Sequence, residues 1–454
     1  MIARSLPPGP RGMEVLGFVR RTLPFLEETA RRFGPISYFR VLNQRIYLID
    51  EPEWIQDILV TRQHLFLRDT GATLLRELVG DGVLTRDEPA HKERRRTLQP
   101  AFHRARIASY AEMMTAESVR AAESWQQDAK LDIAAEMKRL TLAIVGSALF
   151  GSDLSGSADR IAAVLQRVIN RSRWIVPGLA IFEPIANAYR RSFPLGPSLF
   201  FRSERAELER ILAPVVEQRR RSQAADILSM LLVDLPDQDA TNEIVTMVLA
   251  GHETTAIALT WVWYLLDRHP NVEECLREEI SRVLANRDAT LDDIPHLAYT
   301  AMVFNEAMRL YPPAPVFGRR PMEKITIGGY EIAPGSSILI SPWITQRSER
   351  WFARPDQFEP ERWRDISIPK FAYFPFGGGA KMCIGESFAR MEGVIVLATI
   401  ARRWRFRRTG TDDIGIQAAA TLRPDRPVWM RVEPSATALG ATAADSGPAD
   451  AAAL

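Results

Sequence analysis

Phe374-Pro375-Phe376-Gly377-Gly378-Gly379-Ala380-Lys381-Met382-Cys383-Ile384-Gly385 is the stretch on which the reading of this chain turns. Three consecutive glycines can fold a tight loop that brings backbone close to a flat ligand. Cys383 then opens an apolar helical pattern running from about Ile384 to Ala401. Backbone N–H groups and the positive end of a helix favour a thiolate at such a position. A thiolate donates electrons strongly to iron, a push that favours O–O cleavage, and hydrogen bonds to the sulfur tune the potential. Taken alone, the same stretch also describes a buried, inert cysteine after a flexible glycine loop.

Upstream, the run from about Asn242 to Leu266 has helical spacing and is apolar on every face. Its length suits a membrane span, but His252 and Glu253 in its middle are expensive in lipid, so a central core helix is expected. Within it, Ala250-Gly251-His252-Glu253-Thr254-Thr255 combines two small residues with an acid beside an alcohol. The small pair leaves a gap for a diatomic ligand. Thr254 can bond back to the Ala250 carbonyl one turn earlier. Glu253 and Thr254 make a proton relay into an otherwise dry cavity. The plain alternative is a Gly-kinked core helix with a satisfied glutamate.

Two further groups follow helical spacing. Glu306 and Arg309 are an i,i+3 pair before Tyr311-Pro312-Pro313, where the prolines end the helix. His91 and Arg95, spaced i,i+4, reach one side of a helix and suit carboxylates, although a solvated basic face has the same pattern.

Phe376, Gly379, Cys383 and Gly385 fall at the spacing of the cytochrome P-450 haem-binding loop, and the chain resembles that family from about Pro7 to about Pro434. The resemblance implies a mainly α fold with a minor β region, wrapped around haem b between the long central helix and the cysteine loop. Cys383 is then the iron ligand. Glu253 and Thr254 take the oxygen-activation roles, and Ala250, Phe376 and Gly385 contact the cofactor. His91, Arg95, Arg319 and Lys381 serve its propionates. Lys381 replaces the usual Arg or His, keeping the charge and losing bidentate geometry. Arg362, in Phe358-Glu359-Pro360-Glu361-Arg362-Trp363, joins Glu306 and Arg309 in a structural network. Gln346-Arg347-Ser348 departs from a His-Arg-Asp-like run, which bears on local packing. The distal pocket is expected at Leu74, Leu75, Val245, Leu249, Val316, Phe317, Ala420 and Thr421, with His252 as a polar handle. Such a lining favours a fatty acid, terpenoid, steroid or polyketide.

Composition fits this reading. The chain is 46% hydrophobic with a net charge of +2, so neither disorder nor nucleic-acid binding is indicated. Two cysteines, Cys275 and Cys383, offer no disulfide framework, and without a CxxCH run haem is held non-covalently. No apolar N-terminal stretch suggests a signal or anchor, so a soluble, cytoplasmic monomer is expected. Residues 1–434 read as one domain and 435–454 as a disordered tail. Strands are expected at Ile36–Val41, Arg45–Ile49, Ile325–Ile332 around Gly328-Gly329, and Ser337–Ile340, with nearly everything from Leu74 to Leu310 helical.

The chain carries no Rossmann fingerprint, flavin domain or iron–sulfur cysteine set, so electrons are expected from a separate ferredoxin or flavodoxin with its reductase, for dioxygen and a lipophilic substrate. Arg402, Arg403, Arg405, Arg407 and Arg408 are either an attraction for an acidic partner or a solvated run. A peroxide-driven peroxygenase, a haem-thiolate isomerase or dehydratase, a non-catalytic haem sensor and a cysteine hydrolase are the rivals. The acid–alcohol pair disfavours the first two, and a hydrolase needs a histidine base.

Overall fold

The computed structural model describes residues 6–69, 72, 75–76, 79–151, 160–161, 163–164, 166–168, 201–221, 226–418 and 420–435. Its helices of eight residues or more are α1 (Thr22–Phe33), α2 (Ala90–Leu98), α3 (Ala111–Glu123), α4 (Ile133–Phe150), α5 (Arg202–Arg220), α6 (Ile227–Asp234), α7 (Asp237–Arg268), α8 (Pro270–Leu284), α9 (Ala298–Leu310) and α10 (Glu386–Arg403). The fold is mainly α with a minor β region. Leu74 and residues 436–454 lie outside the described residues, so the expected pocket position and tail are not placed.

The long helix α7 starts after Pro236, carries Asp237 and Asp239 in its first turn and Arg268 in its last, and is followed by Pro270. Each charge opposes the partial charge of its helix end. Its middle is core: Trp261 and Trp263 are among the largest fully buried side chains, and α4, α9 and α10 pack against it. No helix among the described residues is long and apolar enough to cross a membrane. Burial by neighbouring helices, rather than lipid, accounts for an all-round apolar sequence.

The strands are β1 (Ile36–Val41), β2 (Gln44–Ile49), β3 (Phe66–Arg68), β4 (Lys130–Asp132), β5 (Phe317–Pro321), β6 (Ile325–Ile327), β7 (Tyr330–Ile332), β8 (Ser337–Ile340), β9 (Trp404–Arg408), β10 (Ile416–Ala418), β11 (Leu422–Pro424) and β12 (Trp429–Pro434). One five-stranded sheet has the order β1-β2-β8-β5-β3, with β2 and β8 parallel. Its β3–β5 pairing sets Arg68 opposite Arg319. The β6–β7 hairpin turns through Gly328 and Gly329, at φ +57° and +81°. β10 and β11 form a separate ribbon with Gln417 opposite Arg423. β4, which joins β12 and β9, interrupts the stretch expected to be helical. At three residues it is too short for alternation to show.

Candidate active site

The cysteine loop is shaped by close backbone contact. Gly379 has φ +70°, and a Cβ there would lie 1.7 Å from the Leu59 carbonyl oxygen, so both the conformation and the space require glycine. Ala380 N–H donates to Gln63 Oε1 at 2.7 Å, and Cys383 N–H donates to the Phe376 carbonyl at 2.9 Å, closing the loop. Gly385 caps α10, and a Cβ there would approach the Cys383 sulfur at 3.9 Å. Phe376 is half-buried beneath the Arg390 guanidinium. The Cys383 side chain is accessible to solvent although densely surrounded by protein. Burial pushes its thiol up, while the Gly385 N–H and Arg95 pull the other way.

Helix α7 provides an opening inside the core. Between Asn242 and Leu266 every residue is buried except Met247, Leu249, Ala250, Gly251 and Thr254. Four of these, at 247, 250, 251 and 254, follow i, i+3, i+4, i+7 and so form one stripe. Thr254 Oγ1 donates to the Ala250 carbonyl at 2.7 Å, and α7 stays continuous through this turn. Gly251 plays a different part from the gap expected of it: a Cβ there would come within 3.0 Å of Val145, so this glycine lets α4 approach. Ala250, which is exposed, supplies the opening.

Neighbouring residues on α7 point elsewhere. His252 is buried, its Nδ1 lies 2.7 Å from the Val248 carbonyl, and burial pushes it down to about 4, leaving it neutral. It is a satisfied core residue, which corrects its reading as a polar handle in the pocket. Glu253 is also buried. It accepts from Thr421 Oγ1 at 3.0 Å and is ion-paired with Arg423, which lies in the family-like segment Thr421-Leu422-Arg423-Pro424 but has no role assigned from sequence.

A cluster of cations gathers beside the cysteine loop. Arg319 on β5 and Arg68 on β3 share charge interactions with Asp69 and Asp87, and burial lowers both. Lys381 Nζ lies 3.2 Å from Asp87 and from the Phe66 carbonyl, within the field of both arginines. His91, buried on α2, holds Glu88 through Nδ1 at 2.9 Å, with burial lowering its proton affinity. Arg95 donates to the Met382 carbonyl at 2.6 Å, next to Cys383. Arg68 was missed because a three-residue strand offers no pattern.

Glu306, Arg309 and Arg362 come together in one buried network. Arg309 donates to both Glu306 oxygens at 2.8 and 2.9 Å, and Arg362 Nε donates to Oε1 at 2.9 Å. Trp363 Nε1 donates to Oε2, and Arg309 also reaches the carbonyls of Gln346, Pro355 and Gln357. Gln346 in turn accepts from Phe374 N–H, tying α9 to the cysteine loop.

Of the expected pocket residues, Leu75, Leu249, Val316, Phe317 and Thr421 are half-buried and Ala420 is exposed. Val245 is packed instead against Ile161, Leu208, Leu212 and Val248 around a void of about 10 Å³, too small for a ligand. Its place two residues from Met247 turns it off the open stripe. The arginine run is matched by acids: Arg402 and Arg403 meet Asp288, Arg405 meets Glu274, Arg407 meets Glu273, and Arg408 meets Asp267. Four acids thus offset most, though not all, of the charge considered as an attraction for an acidic partner.

The family model for cytochrome P-450 matches residues 5–428. The chain is 35% identical to cyclooctatin synthase of Streptomyces melanosporofaciens, over 88% of this chain and 89% of that protein. It is 32% identical to cyclooctat-9-en-7-ol 5-monooxygenase of the same organism, over 86% of each. It is 30% identical to pentalenene oxygenase of Streptomyces avermitilis, over 91% of this chain and 93% of its relative. With a helical body, a cysteine loop of this form and a family match along nearly its whole length, this chain belongs to the cytochrome P-450 family of haem-thiolate monooxygenases.

Proposed function

We propose that this chain hydroxylates a lipophilic terpenoid, using non-covalent haem b ligated by Cys383 and electrons from a ferredoxin or flavodoxin with its reductase. The observation that carries the reading is the open stripe of α7 within an otherwise buried helix, together with an accessible Cys383 on a loop closed by backbone bonds. The residues suit a flat apolar group bearing two carboxylates. A thiol is available as a soft ligand. Small Ala250 leaves room on α7, and Arg68, Arg319 and Lys381 gather positive charge suited to propionates, with the uncharged His91 ring beside them.

When bound, haem would supply dioxygen activation, so that one oxygen atom enters the substrate while two electrons from the redox partner and two protons reduce the other to water. The chain's own residues do the rest. Cys383 donates electron density, and the Gly385 N–H and Arg95 favour its charged form. Thr254, held by Ala250, presents its hydroxyl on the open stripe, and Glu253 supplies protons toward it. Leu249, Val316 and Phe317 present apolar surface, and three relatives whose names refer to cyclooctatin, cyclooctat-9-en-7-ol and pentalenene favour a terpenoid over a fatty acid, steroid or polyketide. A cytoplasmic monomer serves this role.

The test is reconstitution with a surrogate ferredoxin and reductase against a panel of cyclic terpenes under isotopically labelled dioxygen. One labelled oxygen in the product, dependent on the electron donors, is expected. Product formed only with added hydrogen peroxide, or unlabelled product, contradicts the reading.

A further inference from the structure

We propose that a cavity between α3, α4 and the N-cap of α6 is a second binding site, apart from the cysteine loop and the open stripe of α7, for a small molecule that carries one carboxylate on an apolar body.

The cavity has a volume of about 430 Å³, within the range of roughly 300–1,000 Å³ that small-molecule sites occupy. Arg106 and Tyr110 reach it from the turn that leads into α3, and Glu117 and Arg120 from the far end of that helix. Ala148 comes from the last turn of α4, and Asp226 from the N-cap of α6.

Its two acids are already matched. Glu117 accepts from Arg120 at 2.6 Å and from Ser147 Oγ at 3.1 Å. Asp226 accepts from Ser229 N–H at 2.8 Å and is ion-paired with Arg219 at 2.6 Å. Arg106 and Tyr110 are not matched. No carboxylate among the described residues lies within ion-pair distance of Arg106, and its Nε is buried without a hydrogen-bond partner. Tyr110 is only 8% exposed. Its hydroxyl stands in the field of the Arg106 guanidinium, which lies 5.9 Å from the ring centroid, yet completes no hydrogen bond. Buried donors left unmade are costly, and one carboxylate can accept from the guanidinium and the phenol together.

Charge selects the ligand. With Glu117 and Asp226 each held by its own arginine, Arg106 leaves one positive charge over. A carboxylate cancels it. A phosphate monoester carries about −1.5 to −2 and would set surplus negative charge beside two buried acids. Met113 and Ala148 give apolar surface for the rest of the molecule.

The site also touches the helix that follows Cys383. The Tyr110 ring packs edge-on against Phe388 of α10, with centroids 5.7 Å apart. Tyr110→Phe keeps that packing and removes only the hydroxyl.

The test is isothermal titration calorimetry of the full-length, haem-loaded protein with 2-naphthoate, its neutral amide and 2-naphthyl phosphate. The carboxylate is expected to bind more tightly than the phosphate, and about 10-fold or more tightly than the amide. Arg106→Gln is expected to weaken it about 10-fold or more, and Tyr110→Phe by about 2- to 10-fold. Binding that Arg106→Gln leaves unchanged is binding elsewhere, such as on the open stripe of α7, and overturns the proposal. Amide binding equal to the carboxylate, or no heat with 2-naphthoate at millimolar concentration, overturns it too. Tighter binding of the phosphate overturns the single-carboxylate assignment. Should Arg106→Gln fail to fold, Tyr110→Phe decides alone, and an unchanged affinity there contradicts the site.

Discussion

Thr254 and Ala250 are joined across one turn of α7, the threonine hydroxyl donating to the alanine carbonyl at 2.7 Å. The bond fixes a hydroxyl on the stripe that stays open within the buried middle of this helix, between Asn242 and Leu266. Thr254→Ala removes that hydroxyl with little cost to the helix, since alanine is the best helix former. Haem loading and substrate binding are expected to persist while product per electron pair falls about 10-fold or more, the difference appearing as hydrogen peroxide. Comparing product with reductant consumed checks this, and full coupling contradicts the relay.

Glu306 and Arg309 are both completely buried, so their ion pair is bounded by protein on all sides. Removing one partner leaves a charge with no water to solvate it. Arg309→Met is expected to destabilise the protein by about 3–5 kcal/mol, visible as a lower urea midpoint. The loss should reach the cysteine loop, because Arg309 holds the Gln346 carbonyl and Gln346 accepts from Phe374 N–H. A midpoint within error of wild type contradicts the structural role.

Gly379→Ala should prevent haem uptake more than folding. The substitution forces a left-handed residue to carry a Cβ against the Leu59 carbonyl, 1.7 Å away before any shift. Strain of about 1–3 kcal/mol is expected, confined to the loop that carries Cys383. Absorbance of haem per protein, measured beside the thermal midpoint, separates the two effects. Normal haem content in Gly379→Ala contradicts the loop's close fit.

Two buried groups bend the pH dependence in opposite directions. Burial pushes the Glu392 carboxyl up to about 8, an effect Thr255 only partly offsets. Between the ordinary carboxylate range and about 8 the native state keeps a proton that the unfolded chain has released, so stability falls as pH rises. His252, held down to about 4, stays neutral where the unfolded chain binds a proton, so its stability contribution is lost as pH falls from about 6.5 toward 4. Glu392→Gln is expected to flatten the decline in thermal midpoint between about pH 4.5 and 8. An unchanged slope contradicts the buried, protonated assignment.

Much of this site is local in sequence and could be read there. The glycine loop before Cys383, the alcohol one turn after Ala250, and the Glu306–Arg309 pair each depend on spacings within one loop or helix. Ile36–Val41 and Ser337–Ile340 form the strands their alternation indicates. What could not be read depends on distance or on helix phase. Arg423 lies 170 residues from Glu253, and nothing in either segment announces the other. Arg68 meets Arg319 through a strand pairing fixed by the whole sheet. Gly251 was expected to open a gap from its size and Val245 to line the pocket from the family resemblance, and an all-round apolar helix gives no sign of its orientation to correct either. The arginines near the end of α10 looked like free charge because their acids come from Asp267, Glu273, Glu274 and Asp288, far earlier in the chain.

The most direct test of the central claim, that Cys383 binds haem iron as a thiolate, is the carbon monoxide difference spectrum of the reduced protein. The strongly red-shifted Soret band of a thiolate-ligated haem is expected in the wild type and its loss in Cys383→Ala. A haem-replete, folded wild type with no such band, or a Cys383→Ala variant that keeps it unchanged, contradicts the account.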